Sequence, residues 1–293
     1  MTSLTEDLLR PRRSVLYMPG ANERALEKAA GLPADALILD LEDAVAPDAK
    51  ADARERVRDA VLADRYGRRE VAIRVNGLDT EWFTDDIAAV AAAGPDAVLV
   101  PKVNSADDVA TIERALEDAD VPETTSIWAM LETPAAVLHA EAICTASDRL
   151  TVFVMGTNDL AKELQVPHLP GRAPLATSLS WCVLAARHAG KVIIDGVYNS
   201  LDDAEGFDAE CRQGRELGFD GKTLIHPKQL DSANATFAPS DDEVAQAREV
   251  IDAFEAADGR GVVTVGGKMI EALHVEQARQ TVAQAEAIAA LED

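Results

Sequence analysis

Residues 151–160 read TVFVMGTNDL and residues 126–134 read SIWAMLETP, and these two stretches share one pattern. Each is a short apolar run containing β-branched residues that stops at a small polar cluster with one carboxylate, Asp159 in the first and Glu132 in the second. Short continuous apolar runs of this kind are typical of buried strands. Both stretches therefore predict a strand that ends in an acid.

The two acids are a candidate Mg²⁺ site. Mg²⁺ takes oxygen ligands and commonly uses only one or two protein carboxylates, with water and substrate in its other positions. The alternative is that Glu132 caps a helix begun by Thr133 and Pro134, and that Asp159 caps the helix that follows it, since proline is common at a first helical position. The residues alone leave both interpretations open.

Six further apolar runs have the same character, at 14–18, 36–41, 71–75, 97–100, 191–194 and 222–225. Stretches with helical spacing, rich in Ala, Leu, Glu and Arg, lie between the runs at 22–31, 85–94, 106–119, 173–190 and 202–218. Several of them close with glycine, which favours helix C-termini. Short apolar strands that alternate with helices indicate a parallel sheet covered by helices, and eight repeats predict a closed (β/α)₈ TIM barrel.

Polar residues follow these runs directly. They are Pro19, Gly20, Glu42, Asp43, Arg74, Asn76, Gly77, Lys102, Glu132, Asp159, Asp195, His226 and Pro227. In a barrel of this class the carboxyl ends of the strands converge on one face, where the active site lies. The sequence therefore predicts a single constellation of acids, Arg, Lys and His, and this clustering favours the metal interpretation.

The chain divides into a predicted TIM-barrel catalytic domain, 1–237, and a C-terminal helical extension or lid, 238–293. Within the extension, 241–257 predicts an amphipathic helix and 258–268 a glycine-rich hinge. A last helix is expected from about 269 to 291. The hinge would let this helix act as a lid or cross to a neighbouring subunit.

Composition excludes several classes of protein. A net charge of −24 opposes general binding to nucleic acid or to an anionic membrane, because both require a positive face. The cysteines, Cys144, Cys182 and Cys211, are widely spaced and form no CxxC pair, so zinc and disulfide frameworks are unsupported. No apolar run is long enough to span a bilayer and no signal peptide is evident, and a cytoplasmic location is expected.

A few basic residues stand out against this acidity. Arg12 and Arg13 form a pair beside the first predicted strand, and Lys28 lies on the next helix. An anionic ligand needs local basic residues in so acidic a chain, so these three are candidate phosphate contacts. A solvated surface is the alternative explanation.

Three charged residues at strand ends have two interpretations each. Glu42 and Asp43 are placed to orient metal-bound water or Arg74 from a second layer, and structural salt bridges explain them equally well. Lys102 is a candidate catalytic group or a partner in an ion pair at the barrel mouth.

Taken together, nine stretches resemble the CoA-ester lyase family related to the citrate lyase β subunit, within the HpcH/HpaI aldolase/citrate lyase superfamily, which includes malyl-CoA and citramalyl-CoA lyases. They are RRSVLYMPGANERALEKA, LILDLEDAVAPDAKADAR, IRVNGLDTEWFTDD, VLVPKV, MLETPAAV, MGTNDLAKEL, IDGVY, GFDGKTLIHPKQL and GGKMIEALHVEQAR. They cover nearly the whole chain in the family's order.

The resemblance implies a lyase that uses Mg²⁺, or Mn²⁺ in its place. Such an enzyme reversibly cleaves a 3-hydroxy-3-carboxyacyl-CoA, of the malyl-CoA or citramalyl-CoA type, into acetyl-CoA and a 2-oxo acid. Two alternatives stay open. The same site can admit water and act as a malyl-CoA thioesterase, or the chain can be a citrate-lyase-like subunit that acts on a carrier-protein thioester.

The resemblance also implies roles for single residues. By match of motif, Glu132 and Asp159 are the metal ligands, and Arg74 is the catalytic partner of the oxo-acid carboxylate. Further substrate or CoA contacts are expected at Tyr17, Lys28, Ile225 and His226. Arg13 joins them as a candidate CoA contact because it is a local basic residue in an acidic chain, not through the resemblance. Glu271 stands where the family places a catalytic Asp that reaches into the neighbour's site. A homotrimer or homohexamer is therefore expected, with each site completed by the neighbouring subunit.

Overall fold

The chain forms a closed parallel barrel in a computed structural model that describes residues 8–257 and 262–292. Its strands pair in chain order and the last pairs with the first, through Ser14 and Lys222. The strands are β1 Ser14–Pro19, β2 Ala36–Asp40, β3 Glu70–Arg74, β4 Ala97–Val100, β5 Ser126–Leu131, β6 Leu150–Met155, β7 Val192–Asp195 and β8 Gly221–Leu224. The prediction of a (β/α)₈ TIM barrel is confirmed. The six further apolar runs each match a strand within one residue at either end, and β5 and β6 begin within one residue of positions 126 and 151.

Helices cover the outside of the barrel and form most of the C-terminal extension. In the described ranges they are α1 Glu23–Ala29, α2 Lys50–Leu62, α3 Phe83–Ala93, α4 Ala106–Asp118, α5 Pro134–Leu138, α6 Ala140–Cys144, α7 Thr157–Leu164, α8 Ala176–His188, α9 Ala204–Leu217, α10 Leu230–Phe237, α11 Asp241–Ala256 and α12 Ala272–Glu292. Single 3₁₀ turns lie at Pro47–Ala49, Pro170–Arg172 and Pro227–Gln229. None of the helices in these ranges is long and apolar enough to cross a membrane.

Alternate strand residues pack on the two sides of the barrel wall. One set fills the barrel interior and includes Val15, Ile38 and Trp128, and the other packs between the strands and the helices. Arg12, which precedes β1, contacts this interior set, and its guanidinium carbon lies 5.7 Å from the centre of the Trp128 ring. The interior is therefore filled by side chains, which leaves the carboxyl ends of the strands as the face that can bind a ligand.

The C-terminal extension differs from the predicted hinge and helix. Residues Val262–Val265 form β9, which pairs in antiparallel fashion with β10, Lys268–Glu271. Gly266 and Gly267 join the strands at φ values of 54° and 77°, and two residues with positive φ are what a tight hairpin turn requires. The prediction that a helix begins near residue 269 was therefore wrong, and residues 258–261 of the predicted hinge lie outside the described ranges.

The last helix, α12, lies across the amino-terminal end of the barrel. Arg13, which precedes β1, contacts Glu292 at 3.0 Å, and Arg68 donates to the carbonyl of Ala290. At its other end Ala272 borders a cleft of about 910 Å³ together with Lys191, which precedes β7. The extension therefore does not cover the carboxyl face of its own barrel, and its role as a lid or as an element that crosses to a neighbouring subunit stays a prediction. The domain boundary at residues 237 and 238 stays a prediction.

Candidate active site

A cavity of about 420 Å³ opens at the carboxyl ends of the strands. It is lined by Tyr17, Pro19, Asp40, Asp43, Ala44, Arg74, Met130, Glu132, Met155, Gly156, Thr157, Asn158, Asp159, Val197, Asn199, Thr223 and Ile225. These residues come from seven of the eight strand ends, and the first and last of them, Tyr17 and Ile225, are more than two hundred positions apart in the sequence. The fold thus brings Tyr17, Arg74, Glu132, Asp159 and Ile225 to one place.

Arg74 is held by two carboxylates and one ring. Its Nε and Nη2 atoms donate to the two oxygens of Asp40 at 2.7 and 2.6 Å, and Nη1 lies 2.7 Å from Glu42 Oε2. The guanidinium carbon lies 4.8 Å from the centre of the Tyr17 ring. Because Asp40 already occupies the Nε and Nη2 fork, a substrate carboxylate can meet Arg74 only through its remaining Nη hydrogens. Charge-assisted bonds of this kind contribute about 1.5–3 kcal/mol each, so the orientation of Arg74 is set before substrate arrives.

Glu132 is almost fully buried where β5 ends. Its Oε1 accepts a 2.8 Å hydrogen bond from the backbone amide of Lys102. Gly156, at the end of β6, leaves the space for this carboxylate, because a Cβ atom at Gly156 would lie 2.2 Å from Glu132 Oε2. The two neighbouring strand ends thus fit together only when one of them carries glycine.

The helix-cap interpretation of the two acids is wrong. The side chain of Thr133 caps α5, since its hydroxyl accepts from the amide of Ala136 at 3.0 Å. Asp159 lies in the first turn of α7, which begins at Gly156 without a side-chain cap. Neither carboxylate caps a helix, so both side chains can contact a ligand in the cavity.

The electrostatics of the cavity fit a divalent cation. Burial raises the pKa of Glu132 to about 8, with a further contribution from the charge of Glu42. Burial also raises the pKa of Glu42 to about 7, against the opposing effect of Arg74. A divalent cation beside these two acids would favour their charged forms and so offset the effect of burial. Within residues 8–257 and 262–292 no three His, Cys, Asp or Glu side chains lie together as a metal cage. Two carboxylates with substrate and water is the ligand set that Mg²⁺ commonly uses.

Arg13 is not part of this site. It precedes β1, at the opposite end of the barrel, and its guanidinium donates twice to Asp35 at 2.8 Å. The prediction that Arg13 contacts CoA was wrong, because a basic residue just before a strand lies on the amino face, whereas ligands bind at the carboxyl face. Arg12 is placed in the same way and pairs with Glu70.

The other predicted residues lie around the cavity or away from it. Lys28 is exposed in the last turn of α1, and Ile225 is 39% exposed at the cavity edge. Next to it, His226 Nδ1 accepts from the amide of Lys228 at 3.1 Å. Asp43 lines the cavity, and Glu271 is exposed on β10 in the extension.

Sequence reasoning missed the residue that holds the acidic loop. The Nζ atom of Lys50 donates to the carbonyls of Leu41 and Glu42 at 2.7 and 2.8 Å, and to Asn76 Oδ1 at 2.7 Å. Lys50 therefore fixes the backbone that carries Glu42. Asp40 was detectable as the acid at the end of the LILD run, but Lys50 reads as an ordinary residue of a polar helix, and no local pattern reveals its contact with Asn76.

Gly156→Ala is expected to weaken Mg²⁺ binding by about 10- to 100-fold, the range typical when a ligand's support is disturbed. The added methyl group must displace Glu132, because their atoms cannot occupy the same space. A calorimetric titration with MgCl₂ measures the change. Gly31→Ala is the matched control, since a Cβ at Gly31 meets only the carbonyl of Lys28 at 3.9 Å. Equal affinity in the two variants would contradict the placement of Glu132.

A closed barrel with an acid-rich cavity at its carboxyl face, one oriented arginine and two available carboxylates defines a (β/α)₈ enzyme. A family model described as HpcH/HpaI aldolase/citrate lyase matches residues 13–227, and the chain is an enzyme of this family.

Comparison with known proteins identifies members of this family that the chain resembles. The chain is 54% identical over 282 residues to a (3S)-malyl-CoA thioesterase of Cereibacter sphaeroides, covering 96% of each chain. It is 38% identical over 291 residues to the citrate lyase subunit beta of Escherichia coli, covering 97% of this chain and 96% of the relative. The crystal structure of CitE from Mycobacterium tuberculosis with magnesium, acetoacetate and coenzyme A is 28% identical, with a TM-score of 0.77 over 93% of this chain and 97% of that chain.

These relatives correct the functional expectation. The motifs predicted a carbon–carbon lyase with thioester hydrolysis as an alternative, yet the relative at 54% identity is named a thioesterase. This relative overturns the lyase expectation. The roles predicted for Arg74, Glu132 and Asp159 concern only the carboxylate end of a substrate, and holding that end does not determine which bond is broken at the other.

Proposed function

We propose that this enzyme is a Mg²⁺-dependent thioesterase that hydrolyses (3S)-malyl-CoA to malate and CoA. The observation that carries the proposal is the 54% identity to a (3S)-malyl-CoA thioesterase over 96% of both chains. The cavity supports it, because a buried arginine and two candidate metal carboxylates suit a substrate with a free carboxylate and a hydroxyl group. A cytoplasmic location is part of the same proposal.

The residues of the cavity divide the work on such a substrate. Arg74, oriented by Asp40 and Glu42, binds the free carboxylate of the malyl group and fixes its direction. Glu132 and Asp159 would hold Mg²⁺, or Mn²⁺ in its place, which would supply Lewis-acid polarisation of the malyl oxygens. Tyr17 packs against Arg74 and lines the cavity.

Hydrolysis needs one water molecule and one acid–base group. The water oxygen forms a bond to the thioester carbon, the carbon–sulfur bond breaks, and the CoA sulfur takes up a proton. Glu271 is the proposed group that accepts the proton of the attacking water and returns it to the sulfur. The proposed CoA contacts are Ile225, which lies at the cavity edge, His226, which follows it in the chain, and Lys28, which lies on the helix after β1.

Glu271 would act in the site of a neighbouring subunit. It lies on β10, next to a helix that crosses the amino face, whereas its own cavity opens on the carboxyl face. Strands of about five residues separate the faces by about 16 Å, well beyond the reach of one side chain. Exposed apolar side chains at Val262, Met269 and Leu273 give this segment a surface that another subunit could cover. We therefore propose a homotrimer, or a homohexamer of two trimers.

A mass-resolved assay in ¹⁸O-water tests the function. The purified full chain is incubated with (3S)-malyl-CoA, with Mg²⁺ or with a chelator, and both halves of the substrate are followed. We expect equal amounts of CoA and malate, one ¹⁸O atom in the new malate carboxylate, and loss of both products with the chelator. Acetyl-CoA serves as a control substrate that lacks the carboxylate for Arg74, and it should be hydrolysed far more slowly. Release of acetyl-CoA and glyoxylate from malyl-CoA, or equal hydrolysis of acetyl-CoA, would overturn the proposal.

A further inference from the structure

The cavity holds more negative than positive charge, and its two cations are placed differently. In the described part of the chain, the charged residues at or beside it are Asp40, Glu42, Asp43, Glu132, Asp159, Arg74 and Lys102. Arg74 is buried and committed to Asp40 and Glu42. Lys102 is half exposed, and its Nζ atom lies 3.8 Å from Asp159 Oδ2, a longer and looser contact. Lys102 is therefore the cation that can move.

The backbone at Lys102 is strained and points at the other candidate metal ligand. Lys102 has a φ of 53°, in the left-handed region that residues other than glycine rarely adopt. In this conformation its amide donates to Glu132 at 2.8 Å, and its carbonyl accepts from Asn104 Nδ2 at 2.8 Å. The hydroxyl of Thr133, the residue after Glu132, donates to Asn104 Oδ1. Hydrogen bonds thus connect the loop of Lys102 to the loop of Glu132 at two points. One residue thus contacts both candidate ligands, Glu132 through its backbone and Asp159 through its side chain.

We infer that Lys102 is a positioning residue of the metal site, whose amide orients Glu132 and whose ammonium group is the counter-ion that Asp159 releases when a divalent cation binds. The inference rests on the metal site of the proposed function. An ammonium group within about 4 Å of a ligand oxygen both competes for that oxygen and repels a dication. The wild-type enzyme therefore binds Mg²⁺ more weakly than its carboxylates alone would, and its metal-free form is better balanced electrostatically.

Lys102→Met tests this inference. Methionine has a similar unbranched stem and the same left-handed backbone strain, so the variant differs chiefly in charge. Titration of the full chain with MgCl₂ in a calorimeter, without substrate, should give a dissociation constant about tenfold lower than that of the wild type. Lys102→Arg retains the charge and should stay within about twofold of the wild type. A second readout is thermal unfolding in chelator, where the Met variant should melt at a lower temperature than the wild type.

The outcomes separate the inference from the proposed function. Unchanged or weaker Mg²⁺ binding in Lys102→Met, with wild-type cooperativity of unfolding, would overturn the inference and leave the metal site standing. A wild-type chain that binds no Mg²⁺ would overturn the metal site and the inference together. If the Met variant does not fold, Lys102→Gln makes the same measurement with a polar, uncharged side chain.

Discussion

Glu132→Gln should weaken Mg²⁺ binding at least about a hundredfold and lower kcat/KM for malyl-CoA hydrolysis about a thousandfold. Glutamine keeps the size of the side chain and an oxygen that accepts from the amide of Lys102, so the local fold should persist. It removes the negative charge that a hard divalent cation requires. Losing several kcal/mol of electrostatic stabilisation of the reacting oxygens accounts for the expected decrease in rate.

Calorimetric titration and steady-state kinetics on the same preparation measure the two effects. Glu141→Gln, an isosteric change at an exposed residue of α6, serves as the control and should retain wild-type values. A Glu132→Gln enzyme with normal Mg²⁺ affinity would show that this carboxylate is not a ligand. Normal affinity for the metal together with lost activity would assign Glu132 a different part in the reaction.

Arg74→Lys and Glu271→Gln should each lose most activity, and subunits carrying the two changes should recover about a quarter of it when assembled together. Lysine cannot make the forked contact with Asp40 that orients Arg74. Glutamine cannot take up a proton in place of Glu271. If a working site takes Arg74 from one subunit and Glu271 from its neighbour, about one neighbour pair in four carries both intact groups in an equal mixture.

Co-expression with two affinity tags yields the mixed assemblies, and hydrolysis is compared with that of each variant alone. Recovery should be absent if Glu271 acts within its own chain, because no subunit then has both groups. Glu276→Gln is a control at another exposed carboxylate of the extension and should remain fully active. A fully active monomer in sedimentation would also rule out the shared site.

The sequence was sufficient for the barrel and for much of the cavity. Continuous apolar runs define each strand, because a strand buried on both faces needs no alternation. The residue after such a run must lie at the carboxyl end, so TVFVMGTNDL and SIWAMLETP place Asp159 and Glu132 on one face once eight runs are counted. Both features depend only on chain direction and local pattern, which is why the sequence alone determines them.

Other features were decided by contacts between residues far apart in the chain. Gly156 leaves room for Glu132, Lys50 holds the loop of Glu42 through Asn76, and no spacing rule encodes either contact. The helix α12 looked free to cover its own site, but it packs across the amino face. The family motifs predicted residues for the acid end of a substrate and did not indicate which bond is cut. Sequence pattern records which residues are buried and which way the chain runs, whereas the exact fit of side chains around a site is a property of the assembled barrel.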